Sequence, residues 1–207
     1  MICAMVLAAG RSRRMGTQKL LLPWGNTSVI GHIIDELSAS QLTDIVVVTG
    51  HYKDEVERAL SGRTMSFVHN DRYRQGMLSS VRCGLTVLPQ ACSAVLVVLG
   101  DQPRLAHVLI DKMVAAFAET DKRILVPTYQ GKRGHPLLLS TDFISEIRTD
   151  FDDTGLRGLL YRHPEEVLEW PSPDADILLD MDFPEDYQRQ INQADLSNPP
   201  KDIPGEL

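Results

Sequence analysis

The chain has 207 residues with 28 acidic and 21 basic side chains, and its formal net charge is −7. Because nucleic acids and anionic membranes attract Lys and Arg, this acidic balance predicts a protein that binds neither of them. The three cysteines lie far apart without a Cys-x-x-Cys pair, which indicates neither a disulfide framework nor a zinc site and favours a cytoplasmic location.

Apolar runs and amphipathic stretches alternate along most of the chain. The apolar runs predict strands, most of them buried on both faces, at residues 2–9, 44–50, 65–70, 94–103, 123–129 and 166–170, and the strand within 94–103 stops at Gly100-Asp101. The amphipathic stretches predict helices at residues 29–40, 52–60, 77–88, 107–120 and 183–191. This alternation predicts an α/β fold with a Rossmann-like, doubly wound, mostly parallel sheet and helices on both of its faces.

The length and the pattern indicate one domain with a short extension. We expect residues 1–192 to form a single domain, because no linker interrupts the alternation. Residues 193–207 end in a proline-rich stretch without hydrophobic periodicity, which predicts a disordered C-terminal tail.

The segment LAAGRSRRMGTQK, residues 7–19, follows the first predicted strand and carries four cations and two glycines. Its spacing matches neither the Walker A loop nor the Gly-x-Gly-x-x-Gly fingerprint. The small residues Ala8, Ala9 and Gly10 would let backbone N–H groups approach an anion, and Arg14 and Lys19 would neutralise a triphosphate. The alternative interpretation is a solvated basic loop in which the glycines only form turns.

Carboxylates follow two apolar runs farther along the chain. Asp101 follows the most apolar strand, and Asp180 and Asp182 follow a run that predicts another strand end. Because alternate residues of a strand point the same way, Asp180 and Asp182 could face one ligand. Carboxylates at strand ends are typical Mg²⁺ ligands, although turn or helix-cap roles explain them as well. With the basic loop, they indicate metal-assisted chemistry on a nucleotide phosphate.

The segment LAAGRSRRMGTQKLLLPWG resembles the opening signature of the MobA-like nucleotidyltransferases. Five later blocks resemble one branch of that family, the molybdenum cofactor cytidylyltransferases: QGMLSSVRCGL, GDQP, GKRGHPLLL, DDTGLRGLL and DMDFPEDY. The resemblance spans about residues 3–190. It implies a fold of the nucleotide-diphospho-sugar transferase type and an Mg²⁺-dependent enzyme that transfers CMP from CTP to the phosphate of the molybdenum cofactor, releasing pyrophosphate. It also raises a molybdenum hydroxylase apoenzyme as a partner.

The resemblance implies a role for individual residues. The implied catalytic residues are Lys19, Arg14 and Asp101, and the implied metal ligands are Asp101 and Asp182. The implied nucleotide-binding residues are Leu7, Ala8, Ala9, Gly10, Arg14, Lys19, Gly76, Ser79, Ser80 and Asp101. The implied acceptor-binding residues are Gly134, His135, Pro136, Asp153, Gly155 and Arg157. For His135, a loop histidine held by backbone contacts is the alternative.

Departures from the family pattern concern the acceptor more than the nucleotide. Asp152 and Leu156 stand where small residues are usual, and Phe183 stands where the family usually has Thr. Three alternatives therefore stay open: a guanylyl- or other nucleotidyltransferase acting on a sugar phosphate or a pterin, a glycosyltransferase with an Asp-x-Asp metal site, and a non-catalytic cofactor-binding chaperone for a molybdenum enzyme.

Overall fold

A computed structural model describes residues 1–197, with side chains to residue 193. Within that range the strands are β1 Ile2–Ala8, β2 Pro23–Trp24, β3 Thr27–Ser28, β4 Ile45–Thr49, β5 Ser66–His69, β6 Ala94–Leu99, β7 Ile124–Tyr129, β8 Lys132–Arg133, β9 Leu137–Ser140 and β10 Val167–Pro171. The α-helices are α1 Val29–Ala39, α2 Lys53–Ala59, α3 Met77–Gly84, α4 His107–Ala118, α5 Ile144–Thr149, α6 Leu156–Arg162 and α7 Pro184–Ser197.

The main sheet has the strand order β10-β7-β9-β6-β1-β4-β5, with β8 paired to β7. The pairs β1–β4, β1–β6, β4–β5 and β7–β10 are parallel, whereas β9 runs antiparallel to both β6 and β7. The predicted mostly parallel sheet is therefore confirmed. The sequence pattern did not predict β9, because Leu137–Ser140 is a strand of only four residues directly after the polar residues 131–135 and Pro136.

The central strands are buried on both faces. In β1, Ala4 and Val6 pack into one core, while Met5 between them packs into the other. The first core receives α1 and α4, and the second receives residues of α3, α5 and α6. Because successive strand residues point to opposite faces, continuous apolar strands require helices on both faces, as predicted.

One helix end differs from the prediction, and one strand end agrees with it. Helix α3 ends at Gly84 instead of residue 88; the Thr86 hydroxyl donates to the Cys83 carbonyl, and Pro89 follows. Strand β6 ends at Leu99, as the break at Gly100-Asp101 predicts, since Gly100 turns the chain and donates its N–H to the Leu7 carbonyl.

The predicted strand before Asp180 is wrong. The structure has a short 3₁₀ helix, Ala175–Leu178, followed by irregular chain. Helix α7 then begins at Pro184, and the Asp186 carboxylate accepts the N–H groups of Asp182 and Phe183. An apolar run this short does not distinguish a strand from a helical turn, which explains the error.

The C-terminal boundary can be followed only in part. The proposed domain end at residue 192 lies inside α7, which continues to Ser197. The rest of the predicted tail, residues 198–207, lies outside the described residues. No helix in the described part of the chain is long and apolar enough to cross a membrane.

Candidate functional site

A cleft of about 750 Å³ opens at the carboxyl ends of β1 and β6, beside the first turn of α3. In doubly wound sheets this is the edge at which ligands bind. The residues predicted for nucleotide, metal or catalysis that line it are Leu7, Ala9, Gly10, Arg14, Lys19, Gly76, Ser80, Asp101 and Asp182. The structure therefore brings the basic loop and both predicted metal ligands into one cleft.

Two predicted nucleotide-binding residues do not line the cleft. The side chain of Ala8 is buried in the core on the opposite side of β1 from Leu7 and Ala9. Ser79 accepts a hydrogen bond from Asn70 at 2.9 Å and donates one to the Gly76 carbonyl at 2.8 Å. Ser79 thus shapes the turn that precedes α3, and any effect on a nucleotide is indirect.

Three further residues on the α3 side of the cleft were missed by the sequence analysis. Tyr73, Arg74 and Met77 line the cleft, and they flank Gly76 in the chain. Gly76 has φ of +98°, a conformation that side chains rarely adopt. Their position next to Gly76, a predicted nucleotide-binding residue, is the sequence feature that could have identified them.

The loop after β1 is folded back by Ser12. Its hydroxyl lies 2.5 Å from Gln18 Oε1 and accepts the backbone N–H of Lys19 at 3.2 Å. Met15, between them, is buried, and Gly16 turns the chain with φ of +67°. This folding brings Lys19 back to the end of β1, where a short 3₁₀ helix, Lys19–Leu21, begins.

Lys19 stands at the centre of the charged cluster. Its Nζ donates to Asp101, to the Met181 carbonyl at 2.8 Å and to Asp182 at 3.4 Å. The side chains of Lys19 and Asp101 are only 14% and 18% exposed, so water screens their interaction weakly. The Met181 N–H also donates to the Asp101 carbonyl at 3.2 Å. This backbone contact, and not a strand end, brings Asp182 to Asp101.

Arg14 lies at the mouth of the cleft. Its guanidinium pairs with Asp182 and lies 5.7 Å from the centroid of the Phe183 ring. The Arg14 side chain is 64% exposed, so this pair is freely accessible and contributes little to stability. A bound polyphosphate can therefore draw Arg14 away from Asp182 at small cost.

The oxygen atoms around Lys19 Nζ suit a divalent cation. Two carboxylates and a carbonyl converge on that point, and Mg²⁺ and Mn²⁺ prefer such oxygen ligands. No group of three or more His, Cys, Asp or Glu side chains in the described residues is arranged to hold a metal. Phosphate oxygens of a bound ligand would add to the two carboxylates as ligands of such an ion.

Carboxylates are concentrated on one side of the cleft, around Asp180. Partial burial raises the pKa of Asp180, and the neighbouring charges of Asp101 and Asp182 raise it further. Asp180 lines the cleft beside both metal-ligand candidates. A cation or a proton at this end of the cleft therefore relieves repulsion among the carboxylates.

A second cavity, of about 140 Å³, contains part of the predicted acceptor site. Gly134, His135 and Arg157 line it. The remaining predicted acceptor residues, Pro136, Asp153 and Gly155, do not line the second cavity. Its other walls are mostly apolar: Val126, Leu137, Leu156, Leu160 and Tyr161, with Arg133.

His135 lies between the second cavity and the carboxylates of the cleft. Burial lowers the pKa of His135, and Asp180 and Asp101 oppose that effect. Its backbone N–H donates to the Ile177 carbonyl at 2.9 Å, as the backbone-contact alternative predicts. Its buried Nδ1 has no hydrogen-bond partner within the described residues, which leaves that nitrogen available to a ligand.

Gly134 is required for packing, whatever its role in binding. A Cβ at Gly134 would lie 2.4 Å from the Ile177 carbonyl oxygen. We expect Gly134→Ala to lower the free energy of unfolding by about 1–3 kcal/mol, as overpacked sites do. Urea unfolding measures this, with Gly10→Ala as the control, because no atom lies within 4 Å of a Cβ at Gly10. Equal stability of the two variants would contradict the packing role.

None of the three cysteines has the environment of a nucleophile. Cys3 and Cys92 are buried, and burial raises the pKa of Cys3 to about 12. Burial also raises the pKa of Cys83. Because the thiolate is the reactive form, these thiols are unreactive at neutral pH.

The sequence matches a known family over most of its length. Residues 4–167 match the MobA-like NTP transferase domain. The chain is 29% identical to the molybdenum cofactor cytidylyltransferase of Escherichia coli (strain K12) over 188 residues, which are 90% of this chain and 93% of that protein. It is 30% identical over 182 residues to the bifunctional protein GlmU of Francisella tularensis subsp. novicida (strain U112), covering 82% of this chain and 39% of that longer protein.

Solved structures of similar proteins support the same relationship. Rv0371c from Mycobacterium tuberculosis H37Rv superimposes with a TM-score of 0.81 and 28% identity, over 92% of this chain and 97% of that one. A structure of Rv0371c in complex with manganese gives a TM-score of 0.76 and 26% identity, over 92% and 98% of the two chains. The predicted fold of the nucleotide-diphospho-sugar transferase type is therefore confirmed.

Proposed function

The chain belongs to the MobA-like NTP transferase family and is a nucleotidyltransferase, and on this basis we propose that it transfers CMP from CTP to the phosphate of the molybdenum cofactor, releasing pyrophosphate. The observation that carries the proposal is the cluster of Lys19, Asp101 and Asp182 at the end of β1 and β6. The similarity to a molybdenum cofactor cytidylyltransferase over 90% of the chain supports the choice of acceptor.

The residues of the cleft bind and orient the triphosphate. The backbone of Ala9 and Gly10 lies at the phosphates, and the base lies towards Gly76 and Ser80. Lys19 and Arg14 exchange their carboxylate partners for phosphate oxygens, since both cations face the same cleft. Asp101 and Asp182 are the residues that would hold Mg²⁺ or Mn²⁺. When bound there, that ion supplies charge neutralisation for the phosphate oxygens.

The chemical step needs no general base from the protein. An oxygen of the acceptor phosphate attacks the α-phosphorus of CTP in line, and a new P–O bond forms as the bond to the β-phosphate bridging oxygen breaks. Pyrophosphate leaves with the electron pair. Because a phosphate is already ionised at neutral pH, the protein stabilises charge and positions the reactants. Lys19 and Arg14 neutralise the charge that grows on the α-phosphate and the leaving group.

The acceptor lies on the side of the second cavity. His135 separates this cavity from the carboxylate cluster, and Arg157 lies at its edge. The apolar walls there, including Leu156 and Tyr161, suit the flat ring system of a pterin. We place the reaction in the cytoplasm, and we take a molybdenum hydroxylase apoenzyme as the recipient of the product.

Pyrophosphate release tests this function. The protein is incubated with each of the four common nucleoside triphosphates and Mg²⁺, with the molybdenum cofactor, with a sugar 1-phosphate, or without acceptor. We expect release only with CTP and the cofactor. Turnover with the sugar phosphate would show that the acceptor is a sugar phosphate and not the cofactor. Cofactor binding without any release of pyrophosphate would indicate a carrier protein.

Nucleotide preference gives a second test. Ala9 lines the cleft, and we propose that its methyl group leaves less room for a purine beside the loop backbone than a glycine would. We expect kcat/KM for CTP to exceed that for GTP by about tenfold or more, and Ala9→Gly to reduce the ratio, because pocket shape discriminates between bases. Competition between the two triphosphates measures the ratio. Equal use of GTP by the parent protein would contradict the assignment.

A further inference from the structure

Arg82, on α3, spans two parts of the molecule that the proposed mechanism treats separately. Its Nε donates to the Ile147 carbonyl at 2.8 Å. One terminal nitrogen donates to the Asp150 carbonyl at 2.7 Å, and the other to the Asp152 carboxylate at 2.5 Å. All three nitrogens of the guanidinium therefore bind residues 147–152, which comprise the last turn of α5 and the start of the connection to α6 and are called the α5–α6 segment below. No step of the mechanism above uses Arg82.

The helix that carries Arg82 is fixed relative to the nucleotide cleft. Gly76, Met77 and Ser80, in its first turn and just before it, line the cleft. Val81 is buried, and a Cβ at Gly84 would lie 2.6 Å from the Met5 sulfur. Since α3 packs this closely on β1, the backbone of Arg82 is fixed relative to the sheet and does not move with the α5–α6 segment.

The segment that Arg82 contacts needs support from outside. The last carbonyl groups of a helix receive no hydrogen bond from a later helical N–H group. At the end of α5, Arg82 donates to two of these carbonyls. Phe151 follows with φ of +73°, a strained conformation for a side chain of that size. A Cβ at Gly158 would lie 2.5 Å from the Phe151 ring, so the segment and α6 are packed together.

Helix α6 connects the α5–α6 segment to the second cavity. Leu156 and Arg157 at its start, and Leu160 and Tyr161 in its later part, line that cavity. A change in the segment before Gly155 therefore moves the cavity wall and Arg157 relative to the cleft. The nucleotide contacts on α3 and β1 stay where they are, because they do not depend on this segment.

We propose that Arg82 is a positioning residue, which holds the α5–α6 segment against α3 and so sets the place of Arg157 and the acceptor relative to the bound nucleotide. This rests on the proposed function in taking the second cavity as the acceptor side. A displacement of about 1 Å between reacting groups costs about 10²-fold in rate. Arg82 thus acts on the reaction through the acceptor without touching it.

Arg148 provides a matched control. It crosses the same interface in the opposite direction, from α5, and donates to the Leu85 carbonyl at 3.1 Å beyond the end of α3. Arg148→Gln removes a guanidinium from this interface and leaves the contacts of Arg82 in place. Arg82→Lys is the conservative variant, because Lys keeps the charge but lacks the planar fork of donors.

The experiment compares the parent with Arg82→Gln, Arg82→Lys and Arg148→Gln, using the full chain. Three quantities are measured: Kd for CTP with Mg²⁺, KM and kcat with the molybdenum cofactor, and hydrogen–deuterium exchange of peptides from residues 147–162 and 77–84. For Arg82→Gln we expect KM for the cofactor to rise about tenfold or more, kcat to fall, and Kd for CTP to stay within about twofold. Arg82→Lys should lie between this variant and the parent, and Arg148→Gln should behave as the parent.

Exchange separates the positioning role from the proposed function. In Arg82→Gln, the amide hydrogens of residues 147–162 should exchange faster than in the parent, and those of residues 77–84 should exchange at the parent's rate. Unchanged exchange in 147–162, or an equal loss of CTP binding and cofactor use, would overturn the proposal. If even the parent shows no turnover with the cofactor, the proposed function has failed, and exchange and CTP binding alone decide the role of Arg82.

Discussion

Lys19→Ala is expected to lower kcat by about 10²-fold or more, a loss on the order of 2.7 kcal/mol in transition-state stabilisation. Lys19 is the cation that contacts both Asp101 and Asp182, and it is largely shielded from water. Charge that grows on the phosphates during transfer therefore meets it in a weakly screened place. Steady-state kinetics with CTP and the cofactor measures the effect, and KM for CTP should change much less than kcat.

Arg11→Ala is the control for this prediction. Arg11 also lines the cleft, but it pairs with no carboxylate in the ion pairs of the described residues. Its effect should be mainly long-range attraction, with a modest rise in KM that disappears as salt is added. An equal loss of kcat in Arg11→Ala would mean that residues 7–19 are a general basic patch.

Asp101→Asn is expected to abolish turnover, with a loss of about 10³-fold or more, and to leave the fold intact. Among the described residues, the Asp101 carboxylate is one of two that meet at Lys19, so its loss leaves the metal with a single carboxylate ligand there. The backbone contact from Met181 N–H to the Asp101 carbonyl does not involve the side chain. Circular dichroism should therefore match the parent, whereas urea unfolding should show a lower free energy of unfolding, because the largely buried Lys19 loses one of its carboxylate partners.

Asp101→Asn should also change the affinity for CTP in opposite directions with and without metal. Without metal, Lys19 is held by Asp101, and the two carboxylates repel the phosphates. Asp101→Asn removes one negative charge and loosens Lys19, so metal-free CTP should bind more tightly than to the parent, while binding with Mg²⁺ should weaken. Calorimetric titration with EDTA and with Mg²⁺ measures both. Asp121→Asn, at an exposed position, is the control. Parallel changes in the two conditions would contradict this account of the cluster.

The fold was predictable because its signals are local. The central strands are continuous apolar runs, and β6 is buried along its whole length. Strand β9 was not predictable in the same way, because its partners β6 and β7 are set by tertiary pairing and not by its own four residues. Helix α3 ends four residues before the predicted residue 88, where the Thr86 hydroxyl and backbone N–H both donate to the Cys83 carbonyl.

The nucleotide side of the site was predictable from the opening segment and from Asp101. Both follow strands, and parallel strands end at one edge of a sheet. Asp182 was predicted from the family resemblance and from a strand that the structure does not contain; a backbone contact between Met181 and Asp101 brings it to the cluster. The role of Arg82 could not be foreseen, since its partners lie 65 to 70 residues away in the chain.

The central claim, transfer of the nucleotidyl group, is tested most directly by following the α-phosphate of CTP. The protein, Mg²⁺ and the molybdenum cofactor are mixed with CTP labelled at the α-phosphorus, and the products are separated and weighed by mass spectrometry. We predict that the label appears in a cofactor–CMP adduct, one for each pyrophosphate released, and that Lys19→Ala forms it far more slowly. Label recovered only as free CMP, or remaining in CTP while the cofactor is bound, would contradict the account.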